Sequence, residues 1–131
     1  MNKRFKKWKY PEIKESKPTK YNWLVQNVKG LALGKNTDIG AFTYINAKNG
    51  VIIEKNVQVG SHCSIYSVST IDRKNGRVHI KANVCLGSHS IVMPGVTIGR
   101  GAVIGAFSFV NKNIPANCLA FGVPVKVVRK I

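Results

Sequence analysis

The sequence predicts an all-β chain wound as a parallel β-helix, on three observations. An aliphatic residue recurs every six positions, glycine often follows it, and a small or β-branched residue stands four after it. The aliphatic series is Leu33, Ile39, Ile45, then Ile53, Val59, Ile65, then Ile80, Leu86, Val92, Ile98, Ile104 and Val110. A period of six fits neither an amphipathic helix nor an alternating strand. Thr37, Thr43, Val57, Cys63, Val84, Ser90, Val96, Ala102 and Ser108 supply the second inward position. Two inward residues per six, separated by a turn that wants Gly or Asn, build short strands with tight corners, three to a coil and about four coils in all.

Each element follows from that pattern in order. Residues 1–30 form a basic N-terminal arm and cap: Lys3, Arg4, Lys6, Lys7, Lys9, Lys14, Lys17 and Lys20 crowd the first twenty positions against Glu12 and Glu15. Charges of one sign repel, so this segment reads as an extended arm, solvated or laid across a partner. Residues 31–112 carry the coils. Ile45 to Ile53 spans eight residues, which places two extra at a corner, and Ile65 to Ile80 spans fifteen, which extrudes nine. The extruded polar loop covers about 66–77, with a turn signal at Asn75-Gly76. Extruded loops mark the working face of a solenoid. Residues 113–131 form a short C-terminal tail.

Gly-Ser-His occurs twice, at 60–62 and 87–89. Each histidine stands three after its aliphatic beat, so stacking the coils puts His62 and His89 at one corner of neighbouring coils. Phe42 and Phe107 hold the equivalent place in the first and last coils, which gives a ladder Phe42, His62, His89, Phe107. Stacked rings along a ridge explain such a ladder by themselves. Histidine adds a group able to take up a proton near neutrality.

The 131 residues suit one domain. With no secretory leader and no apolar run long enough for a membrane span, the chain is expected to be cytoplasmic. Cys63, Cys85 and Cys118 show no zinc-type spacing, which argues for reduced thiols and no structural metal. The net charge of +16 invites nucleic acid or an anionic surface. Lysine greatly outnumbers arginine, the residue of bidentate phosphate recognition, which argues against nucleic acid. Trp8, Tyr10 and Trp23 interleave with lysines, so a peripheral membrane contact through the arm is an expectation of this composition.

The repeat over 31–112 and the ending GAVIGAFSFVNKNIPANCLAFGVPVKVVRKI resemble the hexapeptide-repeat acyltransferases, in particular the galactoside and maltose O-acetyltransferase branch. The resemblance implies a left-handed parallel β-helix, a homotrimer, and acetyl-coenzyme A bound as co-substrate in a groove between subunits. Carried onto this sequence, the coenzyme contacts fall on Ala106 in GAFS, Asn111 and Lys112 in VNKNIP, and Lys126 and Arg129 in VKVVRKI. Ala106 is expected to meet the pantetheine through its backbone, and the cations to meet phosphate.

Acyl transfer from a thioester needs a base, N–H donors for the oxyanion, and orientation. In the galactoside and maltose enzymes the catalytic histidine lies within the extruded loop, whereas SVSTIDRKNGR has none, with Ser69 or Thr70 near that place. In acyltransferases acting on UDP-N-acetylglucosamine the base stands three after an aliphatic beat, in a phrase similar to VGSHCSI. His62 matches it, is read as adjoining the extruded loop, and is the first choice for the base, with His89 second. Asn46, after TYI, resembles the asparagine that helps place the acceptor, and Ser69 and Asp72 are candidate acceptor contacts in the loop. His79 reads as an outward surface residue, and inward-facing Cys63 argues against a covalent cysteine mechanism.

The expected function is acetyl-coenzyme A-dependent O-acetylation of a sugar or nucleotide-sugar hydroxyl in polysaccharide biosynthesis. Alternatives are N-acylation of a nucleotide-linked amino sugar, a non-catalytic scaffold, and the zinc carbonic anhydrases built on a β-helix, whose histidine spacing His62, His79 and His89 do not match.

Overall fold

Strand β1 (Leu24–Gln26) leads through a 3-10 turn (Val28–Gly30) into four coils of three strands each. The first coil is β2 (Leu31–Leu33), β3 (Asp38–Ile39) and β4 (Tyr44–Asn46); the second is β5 (Val51–Ile53), β6 (Gln58–Val59) and β7 (Ser64–Tyr66). A hairpin of β8 (Val68–Ser69) and β9 (Lys74–Asn75) then leaves the stack. The third coil is β10 (Val78–Ile80), β11 (Cys85–Leu86) and β12 (Ile91–Val92); the fourth is β13 (Thr97–Ile98), β14 (Val103–Ile104) and β15 (Phe109–Val110). β16 (Cys118–Phe121) and β17 (Lys126–Lys130) close the chain. This computed structural model describes residues 7–131, so Lys3, Arg4 and Lys6 of the arm lie outside it.

Like strands pair in parallel from coil to coil and form three sheets. Sheet A runs β1-β4-β7-β12-β15, sheet B β13-β10-β5-β2, and sheet C β16-β14-β11-β6-β3, with β17 antiparallel on β16. The register aligns the aliphatic series: Ile53 with Ile80, Val59 with Leu86, Ile65 with Val92. Every member is buried except the half-buried Leu33, and every member of the second series is buried. A buried aliphatic side chain contributes about 1.5–3 kcal/mol, so the stacked rungs hold together strands too short to hold themselves. The small polar rungs are satisfied inside the stack. Thr43 Oγ1 donates to Gly60 O at 2.9 Å and Ser108 Oγ to Gly105 O at 2.6 Å.

The stack extends beyond 31–112 at both ends. β1 pairs with β4 inside the segment expected to be arm, and Ile114 bridges Ile98 inside the segment expected to be tail. Val25 is fully buried below Ile45, and Trp23, 2% exposed, plugs the open end of the core. A solenoid end left bare would expose its apolar interior, and this need for a cap also bends the arm. Residues 7–20 therefore fold back on the first coil and are not the extended segment their charge suggests. The Trp8 indole donates to Thr37 O at 2.8 Å, and the Glu15 carboxylate accepts from the backbone N–H groups of Asn27 and Val28 at 2.8 and 2.9 Å. Those bonds, from Val28 and then Asn27, hold the Glu15 carboxyl below its usual range. With Trp23 buried and Trp8 spent on Thr37, the outward aromatics of the arm among the described residues are Tyr10 and Tyr21. Among the described residues, no helix is long and apolar enough to cross a membrane.

The extruded segment turns at 70–73, where Arg73 takes φ 53°, and not at Asn75-Gly76. Gly76 serves the stack instead, since a Cβ there would stand 3.0 Å from Gly95 Cα in the next coil.

Candidate functional site

Three corners separate the sheets, and two of them repeat a left-handed residue in each coil. Between sheets B and C the residues with positive φ are Asn36, Asn56, Asn83, Gly101 and Asn117. Between sheets C and A they are Phe42, His62, His89 and Phe107, with φ of 65°, 58°, 60° and 59°. Asn and Gly adopt this conformation readily, whereas a bulkier side chain pays roughly 1 kcal/mol for it. The C/A corner holds rings in a geometry that the B/C corner gives to asparagine, one that histidine enters more often than most side chains.

Those rings form one exposed ridge. His62 and His89 stack with centroids 4.7 Å apart and planes 4° apart, His89 and Phe107 at 4.9 Å and 8°, and Phe42 tilts against His62 at 5.1 Å and 39°. The glycine two places before each ring lets coils nest closely. A Cβ on Gly87 would stand 2.5 Å from Ala106 N. Ala106 thus lies in the same corner as His89, one coil on.

Beside the ridge, the outer face of sheet C forms a shallow groove of about 440 Å³, lined by Gln58, Gly60, Ser61, Cys85, Gly87 and Val103 among others. Cys85 is half-buried there. Burial pushes the thiols of Cys63 and Cys118 up and keeps them protonated. Cys63 Sγ lies 3.2 Å from Gly87 O, inside the stack.

The A/B corner carries the expected acceptor residues. Asn46, at the end of β4, is held in a network: its amide donates to the Tyr44 hydroxyl at 3.1 Å, and its Oδ1 accepts from Asn27 Nδ2 at 3.0 Å and Lys48 N at 3.2 Å. The Tyr44 hydroxyl in turn donates to Gln26 Oε1. The hairpin springs from Ser67, fully buried, whose hydroxyl donates to Asn46 O at 2.8 Å. Above it the Ser69 hydroxyl donates to Asp72 Oδ2 at 2.9 Å.

His62 does not adjoin this hairpin within one chain. β7 lies between them, and the five residues from His62 to Ser67 span about 16 Å at the rise of a strand. The structure therefore brings His62 together with His89, and Asn46 together with the hairpin base, at opposite ends of sheet A. The tail residues also divide. Asn111 and Lys112 are exposed on the A/B corner, whereas Lys126 and Arg129 are exposed on β17 beside sheet C, opposite Phe121 and Leu119 of β16.

Two pairs escape the sequence pattern. Tyr44 and Tyr66 approach with centroids 5.7 Å apart on the outer face of sheet A. His79, expected to be a free surface side chain, is half-buried on sheet B with Nε2 hydrogen-bonded to Glu54 Oε2, while Glu54 Oε1 accepts from Ala82 N at 3.1 Å. Partial burial works against the Glu54 charge, but the His79 bond and the Ala82 N–H outweigh it and hold the carboxyl below its usual range. Registering Ile53 on Ile80 places these two residues one coil apart, and that was the available signal. The three histidines do not converge.

Repeat, corners and groove together define a class that known proteins make concrete. Residues 77–112 match the bacterial transferase hexapeptide family (six repeats). The chain is 41% identical over 113 residues to a galactoside O-acetyltransferase of Lactococcus lactis, covering 75% of this chain and 55% of that protein. It superposes on a galactoside acetyltransferase in complex with coenzyme A with TM-score 0.74 and 29% identity, over 83% of this chain and 59% of the other. It superposes on a maltose O-acetyltransferase from Clostridium difficile with TM-score 0.70 and 30% identity, over 84% and 64%. The chain belongs to the hexapeptide-repeat acyltransferases, and its fold is their left-handed parallel β-helix. It spans about half the length of the curated relatives it matches.

Proposed function

We propose that this protein transfers an acetyl group from acetyl-coenzyme A to a sugar hydroxyl, with His62 as general base. The observation that carries this reading is the histidine-bearing ridge running beside the small-residue groove of sheet C. The groove is floored by Gly60 and Gly87 and would admit a narrow pantetheine arm toward the ridge, with Ala106 at its side. Lys126 and Arg129, exposed on β17 beside this groove, would receive phosphates, whereas Asn111 and Lys112 stand on the A/B corner away from it. The likeness to galactoside O-acetyltransferases supports the same donor and acceptor class.

The 16 Å between His62 and the hairpin is bridged if the site is shared between copies, the hairpin and Asn46 of one subunit facing the ridge of the next. The exposed Phe42, Phe107 and Ile91, at 65%, 66% and 37%, flank sheet A and supply the apolar surface for a homotrimer. His62 would take the hydroxyl proton as oxygen attacks the thioester carbonyl, and the same proton would pass to the departing thiolate. Ser69, Asp72 and Asn46 would orient the acceptor.

The test is release of free thiol from acetyl-coenzyme A across neutral sugars and nucleotide sugars. Turnover with a sugar acceptor is expected, and no thiol release with any of them would refute the reading.

A further inference from the structure

The charge of this protein is distributed unevenly over its three corners. The C/A corner, residues 40–43, 60–63, 87–90 and 105–108, contains no Lys, Arg, Asp or Glu. The B/C corner carries Lys35, Lys55, Lys81 and Arg100 with the Glu54 carboxylate among them, whereas the A/B corner carries Lys29, Lys48, Arg73, Lys74, Arg77 and Lys112, all exposed. The carboxylates beside them are Asp72 and Glu15, and both are held by neutral donors: the Ser69 hydroxyl on one, the N–H groups of Asn27 and Val28 on the other. The ion pairs among the described residues, Lys14 with Glu12 and His79 with Glu54, engage none of the six cations.

These cations form a line along the stack. Lys29 precedes β2, Lys48 precedes β5, Arg73, Lys74 and Arg77 precede β10, and Lys112 follows β15, the level before β13 holding no cation. With coils about 4.8 Å apart, the four steps from the first to the last cover about 19 Å. Arg77 is laid against the corner's backbone. A Cβ on Gly50, whose φ is 97°, would stand 3.2 Å from Arg77 Cγ and 3.3 Å from its Cδ, so glycine there leaves room for that stem. A line of this length exceeds what one phosphate or one carboxylate can occupy, and like charges are held together here without acidic partners. Its electrostatic complement is an extended anion with repeating charge.

We propose that the A/B corner binds an acidic polysaccharide, a chain whose sugar units carry carboxylates, and holds it along the face that bears the hairpin. This deepens the sugar-acceptor reading and rests on it for the role of the bound chain, though not for the binding itself. The polymer lies across Lys29, Lys48, Arg77 and Lys112, and the hairpin, with Arg73 and Lys74, reaches over it. The affinity is electrostatic and falls with salt as counterions are released.

The experiment measures binding of the full chain, without acetyl-coenzyme A, to four probes: an octamer and a dimer of galacturonate, maltooctaose and UDP-glucose. The octamer is expected to bind at least about tenfold more tightly than the other three and to weaken steeply with added salt. The double substitution Lys48→Gln, Arg77→Gln should weaken the octamer about tenfold at unchanged melting temperature, because both side chains are exposed. Lys35→Gln with Lys55→Gln removes equal charge from the B/C corner and should change binding by less than about twofold. Equal losses in the two double variants would reduce the effect to net charge and overturn the proposal. UDP-glucose binding as tightly as the octamer would mean a single phosphate site, and maltooctaose doing so would mean that charge is not read; either result also overturns it. Thiol release is assayed separately, so octamer binding without turnover refutes the enzyme reading alone, and turnover without octamer binding refutes the stripe alone.

Discussion

His62 and His89 lie face to face, centroids 4.7 Å apart and planes within 4°, although they are twenty-seven residues apart in the chain. Their backbones share one left-handed conformation, which makes asparagine the conservative probe. His62→Asn keeps the corner that Asn56 and Asn83 adopt elsewhere and removes the proposed base. Turnover should fall by roughly two to four orders of magnitude, with coenzyme A binding unchanged. His89→Asn should lose less. The reverse ranking in a thiol-release assay would move the base one coil toward the C-terminus.

Self-association should depend on the outer face of sheet A. Ile91, 37% exposed, stands between Ser64 and Phe109 in register, so Ile91→Asp would place a carboxylate in the middle of the proposed interface. Light scattering at micromolar concentration should report a trimer for the native chain and smaller species for the variant. A native monomer would remove the shared site.

Lys126→Ala and Arg129→Ala should raise the KM for acetyl-coenzyme A about ten- to a hundredfold, with little change in kcat, because a phosphate contact is remote from the reacting carbonyl. Both side chains are exposed on β17, so melting temperature should not follow. Unchanged affinity for coenzyme A in the variants would move the phosphate site elsewhere.

The arm should let go in acid. Glu15 is held below the ordinary carboxyl value of 4.5 by the Val28 and Asn27 N–H groups. A carboxyl depressed in the folded state contributes stability above its unfolded value and loses it as pH falls through the folded one. Opening of the arm, read by tryptophan fluorescence, should therefore set in below about pH 4.5. Glu15→Gln should start with a looser arm and show a flatter acid response. An acid response identical in the two proteins would assign the contact elsewhere.

The six-residue beat disclosed the inward rungs, the ridge and the extruded segment because each is a direct consequence of periodicity. The same beat also reached further than the aliphatic series used. Val25 stands twenty before Ile45, as Leu33 stands twenty before Ile53, and the eight-residue step from Val25 to Leu33 repeats that from Ile45 to Ile53. The fold-back of the arm was not legible, because the bond from Trp8 to Thr37 O joins residues twenty-nine apart with no periodic relation. Asn75-Gly76 misled because glycine was needed for a close approach between coils and not for a turn. The separation of His62 from the hairpin follows from which corner each occupies, and a repeat shows only that corners exist.

The antiparallel β17 interrupts the parallel repeat of sheet C. A stack of parallel coils ends in an open row of N–H and C=O groups that would accept another chain indefinitely. By reversing direction on β16, β17 breaks the parallel template at one end and presents Lys126, Arg129 and Lys130 there, while Trp23 and the folded arm seal the other. Neither of these ends repeats the coils that lie between them. A longer groove between β3 and β16 has to come by inserting whole coils, since each rung of sheet C is one strand of a three-strand turn.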